Sequence, residues 1–272
     1  MKKYLYIFLV FSLSILPACE KVIDVDLNST GRNLVVDAKL YDGENDFVVF
    51  LSQTIDFFNS DEAEFIDDAT VTLSTASGGV ETLQYINIDS TGFYVLPAYE
   101  AIVGETYTLT IELDGEIYEA TTTMPKKPII DSTFTQFDPG NAFIDEGYDV
   151  INLVQDVAGE NGYYRLWYTL NDTIRNKISD MMIFDDEVFQ EGILYEVPIF
   201  VTRFQPGDRV GTVLLSMDEN VYDYYETLQD LITDQGGGSS AAPANPNTNL
   251  SNGALGVFAA FSSATSFIEV EE

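Results

Sequence analysis

The sequence predicts a mainly β fold: an N-terminal immunoglobulin-like β-sandwich followed by a second β-rich domain with one amphipathic helix. Three observations lead there. Short β-branched and aromatic runs with period-two alternation recur from Leu34 to Thr123, separated by turn residues. The segment Pro125 to Pro128 interrupts them, because proline fixes φ and cannot donate to a ladder. One stretch, near residues 218–234, carries apolar residues three and four apart, which is helical spacing.

Residues 1–18 read as a signal peptide. Lys2 and Lys3 precede a run from Tyr4 to Leu16 that is apolar apart from two serines. The run is short for a bilayer span, which takes about 20 apolar residues, and suits a signal-peptide core. It ends in Leu16-Pro17-Ala18-Cys19, which resembles the lipobox of bacterial lipoproteins, and Cys19 is the only cysteine in the chain. The expectation is cleavage before Cys19, lipidation of Cys19 and an acidic tether over residues 19–32. Several acyl chains on one residue give a stable anchor where one chain gives marginal binding.

The sandwich is expected over residues 33–125. Leu34 to Leu40 is β-rich, Tyr41 to Asp46 supplies a glycine-containing turn, and Phe47 to Leu51 is a compact apolar run. Val71 and Leu73 alternate with threonines, and Ser77-Gly78-Gly79 turns the chain into Val80 to Ile86. Gly92 to Leu96 follows. Tyr107 to Leu113 alternates strictly, then Asp114-Gly115 leads into Glu116 to Thr123. Asp-Gly between two such runs is a favoured two-residue hairpin turn, because type I′ needs positive φ at both positions. About seven short strands in about 90 residues is the rhythm of an immunoglobulin-like sandwich.

The second domain is expected over residues 129–272. Its strands are read at Ile129 to Phe137, Tyr148 to Gln155, Tyr163 to Leu170, Tyr195 to Phe204 and Arg209 to Met217. Pro206-Gly207-Asp208 makes the turn between the last two. Asp218 is placed to cap the helix, since its carboxylate accepts from a free N–H of the first turn. Tyr222, Tyr225, Leu228, Leu231 and Ile232 form the buried face. Gly236-Gly237-Gly238 ends the helix, and a long loop over about 236–253 leads to two closing strands, Ala254 to Phe261 and Ser266 to Val270.

Composition removes most hydrolytic chemistry. The chain has no histidine, and its one cysteine is the lipid acceptor, so Cys nucleophiles, Ser-His-Asp triads and Cys/His zinc sites are excluded. No Walker loop, GxSxG elbow, HExxH or dinucleotide fingerprint is present. The expected protein is not an enzyme: it has no catalytic residues, no metal and no cofactor. Acidic residues number 45 against 12 basic ones, and loss of Lys2 and Lys3 leaves 10 basic residues. Such a surface repels phosphates, so nucleic acid is not an expected partner. The carboxylate clusters Asp42/Glu44/Asp46, Asp61/Glu62/Glu64, Asp67/Asp68 and Asp185/Asp186/Glu187 lack the alternating spacing that wraps a calcium ion. They read as a solvated acidic face.

Among the aromatic residues, Tyr164, Trp167 and Tyr168 are the ligand-binding candidates, able to stack a sugar or peptide. The simpler reading is that residues at period two alternate between core and surface. Tyr222, Tyr224 and Tyr225 read as helix packing.

Three groups of landmarks carry a family resemblance. They are the lipobox with Asn33-Leu34-Val35-Val36-Asp37-Ala38, the stretch Gly104 to Ile111 with Gly115, Tyr118, Ala120 and Pro125, and the tail from Tyr222 to Phe258. That tail contains Asn245-Pro246-Asn247-Thr248-Asn249-Leu250-Ser251-Asn252-Gly253-Ala254-Leu255-Gly256-Val257-Phe258. Together they resemble the outer-membrane lipoprotein family of Bacteroidetes-type bacteria known as domain of unknown function 4249. The resemblance implies an outer-membrane lipoprotein, often encoded beside a TonB-dependent receptor, with no established reaction; the cell surface is its expected location and the periplasmic face of the membrane the alternative. The expected task is that of a non-enzymatic accessory subunit helping a TonB-dependent barrel capture its substrate. An adhesin or structural envelope module is the alternative, and a carboxylate-based glycan-acting enzyme the third. The triplets beginning at Asp89, Asp131 and Asp172 match an O-glycosylation pattern of such bacteria, with Ser90, Ser132 and Thr173 as acceptors.

Overall fold

The computed structural model describes residues 32–55, 65–142, 145–155, 162–177, 180–186, 193–234 and 245–272. All of them lie in the compact unit Arg32–Glu272. Cys19, the signal segment and all but the last residue of the expected tether lie outside the described residues.

The first eight strands build a sandwich. They are β1 (Leu34–Tyr41), β2 (Gly43–Gln53), β3 (Thr70–Thr75), β4 (Val80–Thr82), β5 (Gln84–Ile88), β6 (Thr91–Ala101), β7 (Thr106–Leu113) and β8 (Glu116–Thr123). One layer runs β1-β2-β6-β5 and the other β4-β3-β7-β8. With β4 as an added strand beside β3, that is the immunoglobulin arrangement of four strands facing three. The local chemistry agrees. Asp114 and Gly115, with φ of 54° and 83°, close the β7–β8 hairpin as a type I′ turn. Tyr107 Oη accepts a hydrogen bond from Ile102 N at 2.7 Å, the tie of a buried tyrosine hydroxyl back to the preceding loop known as a tyrosine corner. Alternate residues Val36, Ala38 and Leu40 of β1 meet Leu109 and Ile111 of β7 in one apolar cluster.

The remaining strands are β9 (Ile129–Asp138), β10 (Gly147–Gln155), β11 (Tyr163–Leu170), β12 (Thr173–Arg175), β13 (Met182–Asp185), β14 (Leu194–Pro198), β15 (Arg209–Met217) and β16 (Leu255–Glu269), with the helix α1 (Glu219–Asp234) before the last. β14, β10 and β9 form a small sheet; β11, β12, β13, β15 and β16 join the first layer of the sandwich. The junction is β16. Val35 to Tyr41 pair in parallel with Leu255 to Phe261, and Ser262 to Glu269 then pair antiparallel with β15. One long sheet, β12-β11-β15-β16-β1-β2-β6-β5, therefore runs across the boundary expected at 125–128. Pairing β1 this way also covers an edge that an immunoglobulin-like sandwich leaves open.

The two faces of this sheet have different covers. Even-numbered residues of β16, such as Phe258 and Ala260, pack into the sandwich core. Even-numbered residues of β11 and β15, among them Leu166, Val210 and Leu214, pack with Val150 and Val154 of the small sheet. Odd-numbered residues point the other way: Val257, Ala259 and Phe261 meet Val221, Tyr222 and Tyr225 of α1. Six successive residues, Val257 to Ser262, are buried as a result. A strand covered on both faces reads as a continuous apolar run.

The structure redraws three of the elements read from the sequence. Tyr41 to Asp46 is not a broad turn: the chain bends at Asp42, and Gly43 with φ 80° already begins β2. The strand expected from Tyr195 to Phe204 stops at Pro198, which has no N–H for a further ladder bond, and Phe204 makes a single bridge to Tyr148. The two closing strands are one, because the polar stretch Ser262 to Ser266 pairs with β15 without a break.

Candidate functional site

A groove of about 400 Å³ lies on the helix-covered face, where odd-numbered residues of β1 and β11 flank α1. Asp37, Lys39 and Tyr41 come from β1, Arg165 and Trp167 from β11, and Tyr224, Tyr225 and Leu228 from α1. Period-two alternation brings the strand residues to one face. Helical spacing brings Tyr224, Tyr225 and Leu228 above them.

Three hydrogen-bonded junctions fix the helix and the tail that follows it over the sheet. Asp218 Oδ1 accepts from Val221 N at 3.0 Å, capping α1 as its sequence predicts, while Oδ2 accepts from Thr122 Oγ1 at 2.6 Å and Thr123 N at 3.0 Å. Asn247 N donates to Thr227 Oγ1 at 2.9 Å, tying the tail to the helix. Asn249 then acts as a backbone substitute for β16, donating from Nδ2 to Phe258 O at 2.7 Å and accepting Phe258 N on Oδ1 at 3.1 Å. Gly256 completes the floor. A Cβ at this glycine, which has φ of 96°, would stand 1.9 Å from Val36 O, so only glycine permits the close parallel approach of β16 to β1. The described part of the expected loop, residues 245–253, is thus a structural brace; residues 236–244 lie outside the described residues.

The electrostatics of the groove centre on Arg165. Its Cζ lies 4.7 Å from the centroid of the Tyr225 ring, a cation–π distance. Arg165 Nε and Tyr225 Oη are both buried without a hydrogen-bond partner among the described residues. The nearby carboxylate, Asp37, is engaged by Lys39 at 2.7 Å. Burial pushes the Tyr225 hydroxyl far above its usual pKa, against the opposing pull of Arg165. Burial, with Tyr225 and Asp37 adding to it, pushes Tyr224 up to about 12. Both hydroxyls stay protonated at neutral pH and remain able to donate.

The structure separates the three aromatic candidates read from the sequence. Trp167 lines the groove. Tyr164 stacks on Phe184 at 5.3 Å and Tyr168 meets Phe204 edge-on at 5.8 Å; both are buried on the opposite face of β11. Tyr222 packs on Tyr163 in the apolar seam, and Tyr224 and Tyr225 combine packing with lining the groove. Sequence reasoning missed Arg165. Its signal was position: a cation between Tyr163 and Trp167, on their face of β11, in a chain with only 12 basic residues.

Other polar clusters have structural partners. Asp46 accepts from Ala98 N at 2.9 Å, and Asp42 accepts from Ser263. Asp61, Glu62, Glu64 and Glu187 lie outside the described residues. Among the described residues no group of three or more His, Cys, Asp or Glu side chains is placed to hold a metal ion. No described helix is long and apolar enough to cross a membrane. A second cavity of about 300 Å³ lies at the ends of β11, β15 and β16, but its cation, Arg209, is paired with Asp172. Ser90, Ser132 and Thr173 are all exposed; Ser90 sits at a hairpin tip and Thr173 directly follows another.

Fold and groove define a class: a mainly β protein of two sandwiches sharing one sheet, with an aromatic, cation-bearing groove beside its helix. The chain belongs to the family described as domain of unknown function DUF4249, which it matches over residues 20–266. No curated protein matches it. Among solved structures it is similar to a DUF4785 family protein from Legionella pneumophila, at 12% identity and TM-score 0.24, over 67% of this chain and 52% of that one. The chain thus spans about half the length of that protein. Titin domains Z1Z2 in complex with telethonin align at 11% identity and TM-score 0.20, over 89% and 98% of the two chains. Trypsin-activated alpha-2-macroglobulin from Escherichia coli aligns at 8% identity and TM-score 0.24, over 70% and 15%.

Proposed function

We propose that this protein is an outer-membrane lipoprotein, anchored through Cys19 and exposed at the cell surface, that serves a TonB-dependent transporter as a non-enzymatic substrate-capture subunit. The observation that carries the capture role is the groove beside α1: aromatic walls around an arginine with no acidic partner among the described residues. Ligand sites are concave, largely apolar and furnished with a few polar groups, and this groove has that make-up. The anchor rests on Leu16-Pro17-Ala18-Cys19 at the end of an apolar run. The transporter partner rests on the gene neighbourhoods of the family that the sequence resembles. Ser90, Ser132 and Thr173 belong to the same reading as O-glycosylated surface positions, and the unmodified mass for the mature protein from its host would remove them from it.

The test is a mild-detergent pull-down of the tagged, lipidated protein from its native membranes. Stoichiometric recovery of one TonB-dependent barrel supports the capture subunit. Recovery of the lipidated protein alone sinks it and moves weight to an adhesin or envelope module.

A further inference from the structure

We infer that the groove binds an organic carboxylate with a planar or apolar body, held by Arg165 and stacked against Trp167, Tyr41 and Tyr224. The inference rests on the capture reading for its setting and adds the chemistry of the ligand.

Charge comes first. The chain carries a formal net charge of -33, yet no carboxylate among the described residues pairs with Arg165. Arg203 is paired with Asp138 and Asp149, Arg209 with Asp172, Lys127 with Asp42 and Lys39 with Asp37. Arg165 has an aromatic ring instead, while Asp37, the acidic side chain of the groove, is held by Lys39. With that pair neutralised, the groove has a surplus of one positive charge inside a strongly negative surface. A guanidinium is planar and matches a carboxylate with two parallel hydrogen bonds.

Polar bookkeeping points the same way. Nε of Arg165 can only donate, and the Tyr225 hydroxyl beside it has a donor to place. Buried donors without acceptors are costly and rare in folded proteins. Here both sit against the same groove, so the complementary ligand atom is an acceptor. The walls select the rest of the ligand. Trp167, Tyr41, Tyr224, Leu228 and Val257 offer rings and apolar surface, which suits an aromatic or aliphatic body or the flat face of a sugar. A free peptide terminus and a uronic sugar share this chemistry.

Trp167 is the only tryptophan of the chain, so its fluorescence reports on the groove directly. The experiment titrates the full lipidated chain in detergent micelles with N-acetyltyrosine and galacturonate. Their neutral counterparts, N-acetyltyrosinamide and galactose, serve as controls. The expected result is a saturable shift of Trp167 emission with at least one acid, and binding of its neutral counterpart weaker by about tenfold or more, the loss of a charge-assisted hydrogen bond. Arg165→Gln abolishes the shift. Tyr225→Phe, which keeps the ring and removes one donor, weakens it several-fold and guards against a folding defect in the arginine variant. Equal binding of acid and neutral forms overturns the inference, as does wild-type affinity in Arg165→Gln or no shift with either acid. The barrel pull-down is run in parallel. A retained barrel with no carboxylate binding removes this inference and leaves the capture subunit standing. Carboxylate binding without a barrel does the reverse.

Discussion

Asp42 accepts hydrogen bonds from both the main-chain nitrogen and the hydroxyl of Ser263, at 2.9 and 3.1 Å, where β16 leaves β1 and takes up β15. Its own nitrogen donates to Phe261 O at 2.9 Å, and its second carboxylate oxygen pairs with Lys127 just ahead of β9. The bend that separates β1 from β2 thus also splices the two sandwiches into one sheet. The Asp42 side chain is only 4% exposed while Lys127 is 60% exposed, so the two partners differ in worth.

Asp42→Ala should destabilise the chain by about 2–4 kcal/mol, because it strands two donors of Ser263 at a part-buried junction. Lys127→Ala should cost less than about 1 kcal/mol, as expected for a largely exposed cation. Urea unfolding monitored by circular dichroism measures both. Equal losses would mean that the ion pair, not the splice at Ser263, is what Asp42 supplies.

Much of this architecture was legible in the sequence, and the illegible part has a physical pattern. Alternation at Tyr107 to Leu113, the Asp114-Gly115 turn and the Asp218 cap are local signals, and each specifies a local structure. The pairing of β16 with β1 is not local: Val35 meets Leu255 across most of the chain, and parallel pairing leaves no turn to read. β12 and β13 are too short for alternation to register, at 3 and 4 residues. For the site, alternation along β11 predicted that the aromatics divide between two faces, and Trp167 does separate from Tyr164 and Tyr168. Alternation does not show which face meets α1, so nothing in the strand pattern alone singles out Arg165.

Gly256 gives the sharpest stability test. Gly256→Ala should cost well over about 3 kcal/mol or prevent folding, since the added methyl meets Val36 O at 1.9 Å and φ is 96°. Gly43→Ala is the control. Its φ of 80° is also left-handed, yet nothing lies within 4 Å of the added carbon, so the loss should stay near about 1–2 kcal/mol. Thermal denaturation of the two variants separates backbone strain from steric collision.

Asn249 offers a chemical rather than a steric test. Its amide meets both polar groups of Phe258, one as donor and one as acceptor. Asn249→Asp keeps the acceptor for Phe258 N but sets a carboxylate oxygen against Phe258 O, and should cost about 2–3 kcal/mol. Lowering the pH until the new carboxyl is protonated restores a donor, so the variant should recover part of its stability in acid relative to wild type. No recovery would show that Asn249 acts through shape alone.

Tyr222, Tyr224 and Tyr225 are among the buried tyrosines that make stability fall in alkali. Tyr222 and Tyr224 are raised from 10.0 to about 12, chiefly by burial, with Asp185 and Glu226 adding to the shift of Tyr222. Burial raises Tyr225 as well. Above pH about 10 the unfolded chain loses these protons while the folded chain keeps them, so the stability they contribute is whole below that pH and declines towards pH about 12. Tyr225→Phe removes a buried hydroxyl that lacks a partner, so at neutral pH it should match or exceed wild-type stability, by up to about 1 kcal/mol. Its melting temperature should also fall less steeply between pH about 10 and 12. A melting temperature clearly below wild type at neutral pH would mean that the hydroxyl is already satisfied in the folded protein. It would also leave the groove with one donor fewer to offer a carboxylate.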